Sequence, residues 1–299
     1  MTGQILKRRI LGGLVAMVFV GGLAASAEAT TIIKTGTSGS GASLRHAWVR
    51  FEQAAAGAPI VVTLANITTN QVDANPEVLT AVFFNLNGTP TLTKTTAVLA
   101  DRVNNSGVQV TTDSTVQNCS GGQCPSPNST GGNVGGEWAY RFNSVGLNPS
   151  GVGQFEIDQK YGISGSGLGG TFGAGDRFDT SQNLDGGTSP GGVDYGLTSF
   201  SDTGPTNPGT EQTKNAMAFS FLVPGGYTLA TVTDVRFQYG SGLNECVGCD
   251  IDVPLPASLI LLSSAFLGVG ALIELKRRRK LPQTSKRPAP RGELELPRP

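Results

Sequence analysis

Short apolar runs alternate with stretches rich in glycine and polar residues along most of the chain between residues 30 and 250. Runs of this kind, rich in β-branched and aromatic side chains and bounded by turn formers, predict β-strands. The clearest predicted strands are Ile60–Leu64, Leu79–Leu86, Val108–Thr112, Trp138–Phe142, Ala216–Val223 and Leu229–Tyr239. In the last run Val235, Phe237 and Tyr239 alternate with polar residues, which indicates a strand with one buried face.

One early segment has a helical pattern instead. Its apolar residues recur at helical spacing and are Leu44, Ala47, Trp48, Phe51 and Ala55. Ser43 precedes them as a suitable N-cap, so we predict a helix over 43–56. His46, the only histidine of the chain, would then lie on the polar and solvated side of this helix. The many short strands with Gly-rich turns predict a mainly β fold, with a Gly-rich, β-sandwich-like domain over 30–250.

Composition agrees with a turn-rich β domain, and the charges are segregated along the chain. Of 299 residues, 42 are glycine and only 15% are charged. Residues 30–255 contain 10 Lys and Arg and 18 Asp and Glu, a net charge of −8. From Lys276 onward the chain contains nine Lys and Arg and two Asp and Glu, a net charge of +7. This distribution predicts an acidic domain and a basic end on opposite sides of a membrane. The middle of the chain has no basic cluster, so nucleic-acid binding is set aside.

The first 29 residues have the three parts of a secretory signal peptide. A positive cluster at 7–9 precedes an uncharged apolar stretch over 10–25, and two A-x-A cleavage sites end at Ala27 and Ala29. We expect export through the Sec machinery and removal of residues 1–29 by signal peptidase. The alternative is an anchor that is never removed, for which the apolar stretch is short.

A second apolar run, Leu259–Ile273, lies near the C-terminus. A helix over 256–275 has 20 residues and spans roughly 30 Å, about one hydrocarbon thickness. The residues that follow it are basic: Lys276, Arg277, Arg278, Arg279 and Lys280. Because such clusters stay in the cytoplasm, we predict one transmembrane helix with residues 30–250 outside the inner membrane. A buried core helix is the alternative.

Two prolines stand where the chain meets this predicted helix, in a motif composed of Val253, Pro254, Leu255, Pro256 and Ala257. Proline disfavours helical geometry in the residue before it, so this segment is expected to be extended and accessible to a protease. A simple helix stop above an anchor would explain the prolines equally well.

The motif, the single span and the basic cluster, in this order over 253–280, resemble the PEP-CTERM sorting signals of Gram-negative bacteria in their VPLPA variant. The resemblance implies that an exosortase cleaves near 253–257 and transfers the domain at 30–250 to the cell surface or extracellular matrix. It also implies an association with exopolysaccharide and biofilm. Strings at 136–142, 191–199 and 235–242 resemble the ectodomains of such proteins. This chain departs from the family in a Pro-rich polar tail over 281–299, which we expect in the cytoplasm.

The four cysteines form two close pairs, Cys119 with Cys124 and Cys246 with Cys249. Export places them in an oxidising compartment, so disulfides are expected, and local pairing is the simplest connectivity. A zinc site is the alternative, but no histidine accompanies the pairs and their spacings differ.

Four aspartates lie among glycines in one region of the chain: Asp176, Asp179, Asp185 and Asp194. They could bind Ca²⁺, yet they lack EF-hand or nonapeptide spacing, so solvated turn residues are the better interpretation. We therefore predict no metal and no cofactor.

The sequence favours a non-enzymatic surface or matrix protein. An exopolysaccharide-binding module is the second hypothesis, with Trp138, Tyr140 and Tyr195 stacking on sugars, although core positions are more typical of such residues. A secreted hydrolase is the third, because glycoside hydrolysis needs only two carboxylates, for which Glu137 and Glu156 are candidates.

Overall fold

The computed structural model describes residues 29–38, 45–119, 123–143, 157–168, 171–185, 190–203 and 210–241. Their regular structure is almost entirely β. The strands are β1 (Thr30–Ser38), β2 (Arg45–Gln53), β3 (Ile60–Asn66), β4 (Leu79–Leu86), β5 (Thr93–Leu99), β6 (Asp101–Val103), β7 (Gln109–Asp113), β8 (Thr115–Gln117), β9 (Ala139–Phe142), β10 (Tyr161–Ser164), β11 (Leu197–Thr198), β12 (Gln212–Lys214), β13 (Ala216–Leu222) and β14 (Val232–Tyr239). Short 3₁₀ turns lie at Asn75–Glu77 and Ala174–Asp176. Within the described ranges, no helix is both long and apolar enough to cross a membrane.

The mainly β prediction is confirmed. The predicted strands correspond, with bounds that differ by at most a few residues, to β3, β4, β7, β9, β13 and β14. The alternation predicted for β14 also holds, since Val235, Phe237 and Tyr239 are buried whereas Asp234 is exposed. Gln238 is the exception on the polar face, because it is buried as well.

Two larger sheets and one hairpin contain these strands. The first sheet has the order β1, β2, β3, β13, β5, and its neighbouring strands are all antiparallel. The second has the order β8, β12, β11, β4, β10, β9, and β14 also pairs with β4. The β11–β12 pair is parallel. β6 and β7 form the separate antiparallel hairpin.

Side chains of the two larger sheets share one hydrophobic core. Phe51 of the first sheet meets Phe84 of the second with 4.8 Å between ring centroids, and Phe84 stacks on Tyr161 at 5.4 Å. Phe219 of the first sheet lies 5.1 Å from the ring of Trp138, which directly precedes β9. Such aromatic pairs contribute about 0.5–1.5 kcal/mol each beyond the burial of their area. Aromatic pairs therefore contribute to the packing of the two sheets, together with the aliphatic residues of the shared core.

The helix predicted over 43–56 is wrong, because its described residues form the strand β2. Ala47, Val49 and Phe51 point into the core between the sheets, as strand alternation requires. Trp48 points to the opposite face and is also buried, at 2% exposure, in a second apolar cluster. A strand buried on both faces loses its alternation, so these residues imitate helical spacing.

The β6–β7 hairpin covers Trp48. Gly107, in the hairpin turn, has a φ of +73°, and a Cβ there would stand 3.1 Å from the Trp48 ring. Only glycine fits this close approach in a left-handed conformation. His46, which we expected to be solvated on a helix, is instead half-buried in β2, and burial lowers its pKa.

The chain passes from the second sheet to the first at Asn215, between β12 and β13. This residue has a φ of +84°, in a region that asparagine enters more readily than most residues. Its Nδ2 donates to the Asn66 carbonyl at 2.9 Å, and its Oδ1 accepts from the N–H of Val103. The Asn66 N–H donates in return to the Asn215 carbonyl at 3.1 Å. The two asparagines therefore fix the corner where the chain changes sheets.

The Asn66 side chain extends this corner to the second sheet. Its Nδ2 donates to the carbonyls of Glu77, at 3.1 Å, and Leu197, at 2.9 Å. Its Oδ1 accepts from the N–H of Thr68 at 3.2 Å. Asn66 is fully buried, so each of these bonds replaces one that water would otherwise have made.

We predict that Asn66→Asp lowers the free energy of unfolding by at least about 3 kcal/mol at neutral pH, because it buries a charge against two carbonyl oxygens. Asn75→Asp makes the same chemical change at an exposed position and should alter stability by no more than about 0.5 kcal/mol. Urea denaturation of the purified protein measures both. Equal effects of the two substitutions would contradict the role given to Asn66.

Candidate functional site

Four carboxylates lie around one buried tyrosine, Tyr195, which precedes β11. They are Glu137, Asp185, Asp194 and Glu211, and we call them the acidic cluster. The tyrosine side chain is fully buried. Burial, and then the negative charges of the cluster, raise the pKa of its hydroxyl. The hydroxyl therefore stays protonated and acts as a hydrogen-bond donor.

Hydrogen bonds hold Tyr195 on three sides. Its N–H donates to the Glu211 carbonyl at 2.7 Å, and its carbonyl accepts from Trp138 Nε1 at 3.2 Å. Its hydroxyl donates to the Gln123 carbonyl at 2.7 Å. The backbone has a φ of +58°, which is uncommon for an aromatic residue. These contacts offset the cost of that conformation and fix the ring next to the acidic cluster.

The Gln123 carbonyl, which accepts the hydrogen bond of the Tyr195 hydroxyl, belongs to a loop that is closed by a disulfide. Cys119 and Cys124 lie at disulfide-bonding distance, with 5.2 Å between their Cα atoms. The predicted local pairing is confirmed for these two cysteines. Cys246 and Cys249 lie outside the described residues.

Within the acidic cluster, Asp185 and Asp194 approach the same glycine. A Cβ at Gly191 would stand 3.2 Å from Asp194 Oδ2 and 3.6 Å from Asp185 Oδ2. Burial, followed by the charges of Asp185 and Glu211, raises the pKa of Asp194 to about 6. Asp194 therefore gives up its proton near neutral pH rather than in the usual acidic range.

The other two aspartates of the predicted calcium region lie in turns of their own. Asp176 accepts from the N–H of Gly173 at 2.9 Å. Asp179 accepts from Asn133 and from both the N–H and the hydroxyl of Ser181, and these bonds lower its pKa. In the part of the chain that the structure describes, no three His, Cys, Asp or Glu side chains are arranged to hold a metal ion. We do not assign these aspartates as metal ligands.

A second polar group consists of Thr198, the last residue of β11, together with Ser199 and Asp202 in the turn that follows. All three residues are fully buried, and their side-chain oxygens have no hydrogen-bond partner of ordinary geometry. Burial raises the pKa of Asp202 to about 6, although the nearby Thr198 hydroxyl and Lys214 lower it in part. The turn itself is closed by the Asp202 N–H, which donates to the Ser199 carbonyl at 3.2 Å. We call these three residues the β11 turn group.

The aromatic residues considered for sugar stacking are core residues. Trp138 and Tyr195 are fully buried and Tyr140 is 6% exposed. Tyr140 packs between Phe178 and Phe221, with 4.8 Å to the second ring centroid. The interpretation of these residues as core is confirmed, and none of them offers a face to a polysaccharide.

The remaining predicted site residues are separated or lie elsewhere. Glu137 is fully buried, and its Oε1 accepts from the Leu184 N–H. Glu156, its suggested partner in hydrolysis, lies outside the described residues. The predicted sorting motif at 253–257, the transmembrane helix at 256–275 and the basic cluster at 276–280 lie outside them too.

No family model, curated protein or solved structure matches this chain. The functional argument therefore depends on the chain's own residues. Of the two polar groups, the sequence indicated Asp185 and Asp194 through their glycine-rich surroundings. It did not indicate the β11 turn group, because a short polar segment after a two-residue strand has no distinctive pattern.

We predict that Tyr195→Phe lowers the free energy of unfolding by about 1–2 kcal/mol, because the Gln123 carbonyl loses its donor. The decrease in the free energy of unfolding should be smaller when Cys119 and Cys124 are both replaced by serine. Without the disulfide, the loop can move so that the Gln123 carbonyl bonds to water. A double-mutant cycle in urea denaturation measures this coupling.

Tyr161→Phe is the matched control. Its hydroxyl donates to the Pro90 carbonyl at the same 2.7 Å distance but does not contact the disulfide loop. Its effect should add to that of the cysteine substitutions. Coupling of equal size for both tyrosines would refute the link between Tyr195 and the disulfide loop.

Proposed function

We propose that this chain is an exported bacterial surface or extracellular-matrix protein, sorted and cleaved by an exosortase at residues 253–257. Its exported part is a β-sandwich-like domain, and its C-terminal helix at 256–275 is a temporary membrane anchor. The protein acts by being placed at the cell surface, where exopolysaccharide and biofilm matrix surround it, and it has no catalytic role.

The observation that carries this proposal is the order of three features at 253–280. A Pro-x-Pro motif, an apolar run long enough for one membrane span, and five consecutive basic residues follow one another without interruption. Each feature alone is common. The combination resembles the VPLPA type of PEP-CTERM signal.

The positions of the folded domain's ends are compatible with this route. β1 begins at Thr30, one residue after the second A-x-A site, so removal of residues 1–29 would leave the strand whole. Eleven residues separate Ser241, just after β14, from Val253. Fully extended, they would reach roughly 36 Å, which leaves space between the domain and a membrane-embedded protease.

Among the residues that the structure describes, no observation favours either alternative function. A sugar-binding surface built on Trp138, Tyr140 and Tyr195 would need exposed rings, and these side chains are buried. A hydrolase centred on Glu137 would need a carboxylate that a substrate can reach, and this residue is buried against the chain.

We predict that the double substitution Pro254→Ala and Pro256→Ala abolishes cleavage and retains the protein in the inner membrane. Alanine permits the membrane helix to continue through the motif, so the protease loses its extended substrate. Cell fractionation and immunoblotting in the native host measure the precursor and the released form.

The tail supplies a matched control, because residues 288–290 form a second Pro-x-Pro sequence. Pro288→Ala with Pro290→Ala should leave processing unchanged. If the Pro254 and Pro256 variant is released normally, the motif is not the cleavage signal, whatever the result for the tail variant.

A further inference from the structure

The two-residue strand β11 joins two parts of the second sheet. It pairs with β4 through Leu197 and Leu79 on one side. On the other side it pairs in parallel with β12, through Leu197 with Thr213 and Thr198 with Lys214. β12 in turn carries β8, which leads to the disulfide loop. Because β11 is so short, few backbone hydrogen bonds connect β12 and β8 to the rest of the sheet.

One carboxyl lies at each end of this joint, half-buried at Asp194 and fully buried at Asp202. Asp194 lies three residues before β11, and Asp202 lies four residues after it. Across from them on the β12 side stand Glu211, directly before the strand, and Lys214, its last residue. The β11–β12 joint therefore has Asp194 near one end and Asp202 near the other, and the charge state of each depends on burial and on these neighbours.

At the Asp194 end, ionisation is opposed first by burial and then by like charge. Asp185 and Glu211 are the carboxylates that act on Asp194, and Glu137 belongs to the same cluster around Tyr195. When all of them are ionised, the repulsion between Asp194 and Glu211 acts across the β11–β12 pair. A proton on Asp194 removes this repulsion.

At the Asp202 end, ionisation is opposed by burial. The residue is fully buried, and its carboxyl receives only hydrogen bonds of poor geometry, from the Thr198 hydroxyl and the Thr203 N–H. These bonds and the charge of Lys214 compensate an ionised carboxylate there only in part, because burial is the larger effect. A neutral carboxyl can instead donate its proton to a hydroxyl oxygen.

The charged groups that face the β11 turn group are two cations and one acid. Lys214 and Asp73 act on Asp202, and Arg102 acts on Lys214. The Arg102 guanidinium is held by the Phe200 carbonyl at 2.6 Å and lies over the Phe200 ring at 4.5 Å. Lys214 therefore offsets part of the charge of an ionised Asp202, but burial remains the larger effect.

We propose that the β11–β12 joint is an acid-stabilised latch, closed when Asp194 and Asp202 carry protons and loosened when both are ionised. The native carboxyls hold their protons up to a higher pH than the opened ones do. The extra stability is therefore complete below the unfolded value of 3.8 and is lost as the pH rises towards about 6. A surface protein with this joint would tighten its disulfide-bearing edge in an acidic matrix.

Two amides report on the latch. The Tyr195 N–H donates to the Glu211 carbonyl, and the Thr213 N–H donates to the Gly196 carbonyl. In the purified full chain, hydrogen exchange should show their protection factors at least about tenfold higher at pH near 4.5 than at pH near 7. The N–H of Val134, which donates to Ala97 away from the joint, should show a smaller change.

Substitution tests the two carboxyls directly. Asp194→Asn with Asp202→Asn should remove the pH dependence at Tyr195 and Thr213, and each single substitution should remove part of it. Asp113→Asn, at an exposed position of β7, should leave the dependence unchanged. The proposal is overturned if wild-type protection at these amides is the same at both pH values, or if the double variant keeps the wild-type pH dependence.

Discussion

The fold depends on how the chain changes sheets without leaving buried polar groups unpaired. Asn66 and Asn215 solve this problem together, since each uses its backbone and its side chain to bond the other or a neighbouring segment. A buried amide or carbonyl without a partner costs about 1–3 kcal/mol, so a corner of this kind is tolerated only when its bonds are complete. The core aromatic residues then pack between two sheets whose relative position is already fixed.

Buried polar groups with complete hydrogen bonds stabilise the fold, whereas buried polar groups without them are the ones that we propose respond to pH. Gln53 and Asn87 are polar residues with complete hydrogen bonds to nearby loops, and they serve to fix chain turns. The β11 turn group is different, because Asp202 is fully buried and its hydrogen bonds are of poor geometry. A group of this kind costs stability in its charged form, so protonation is the simplest way for the protein to reduce that cost.

The sequence predicted the strands that form one nearly continuous apolar run between turns, as at β4, or that alternate apolar with polar residues, as at β14. It failed at β2, because Trp48 is buried beneath the β6–β7 hairpin and the strand has apolar residues on both faces. The Cys119–Cys124 pairing followed from local spacing. The sequence indicated only Asp185 and Asp194 of the acidic cluster, because Glu137 and Glu211 come from distant segments that the fold brings to Tyr195. The sequence did not indicate the β11 turn group, because the burial of a short polar turn depends on the segments that pack over it in the fold.

The central claim is that residues 253–280 are a sorting signal that the cell removes after delivery, leaving the β domain at its destination. The most direct test is the intact mass of the mature protein isolated from its native host, together with the sequence of its C-terminus. The account predicts an N-terminus at Thr30 and a C-terminus within 253–257. A mature chain that still extends through Pro299 would contradict it and would leave a permanently anchored protein.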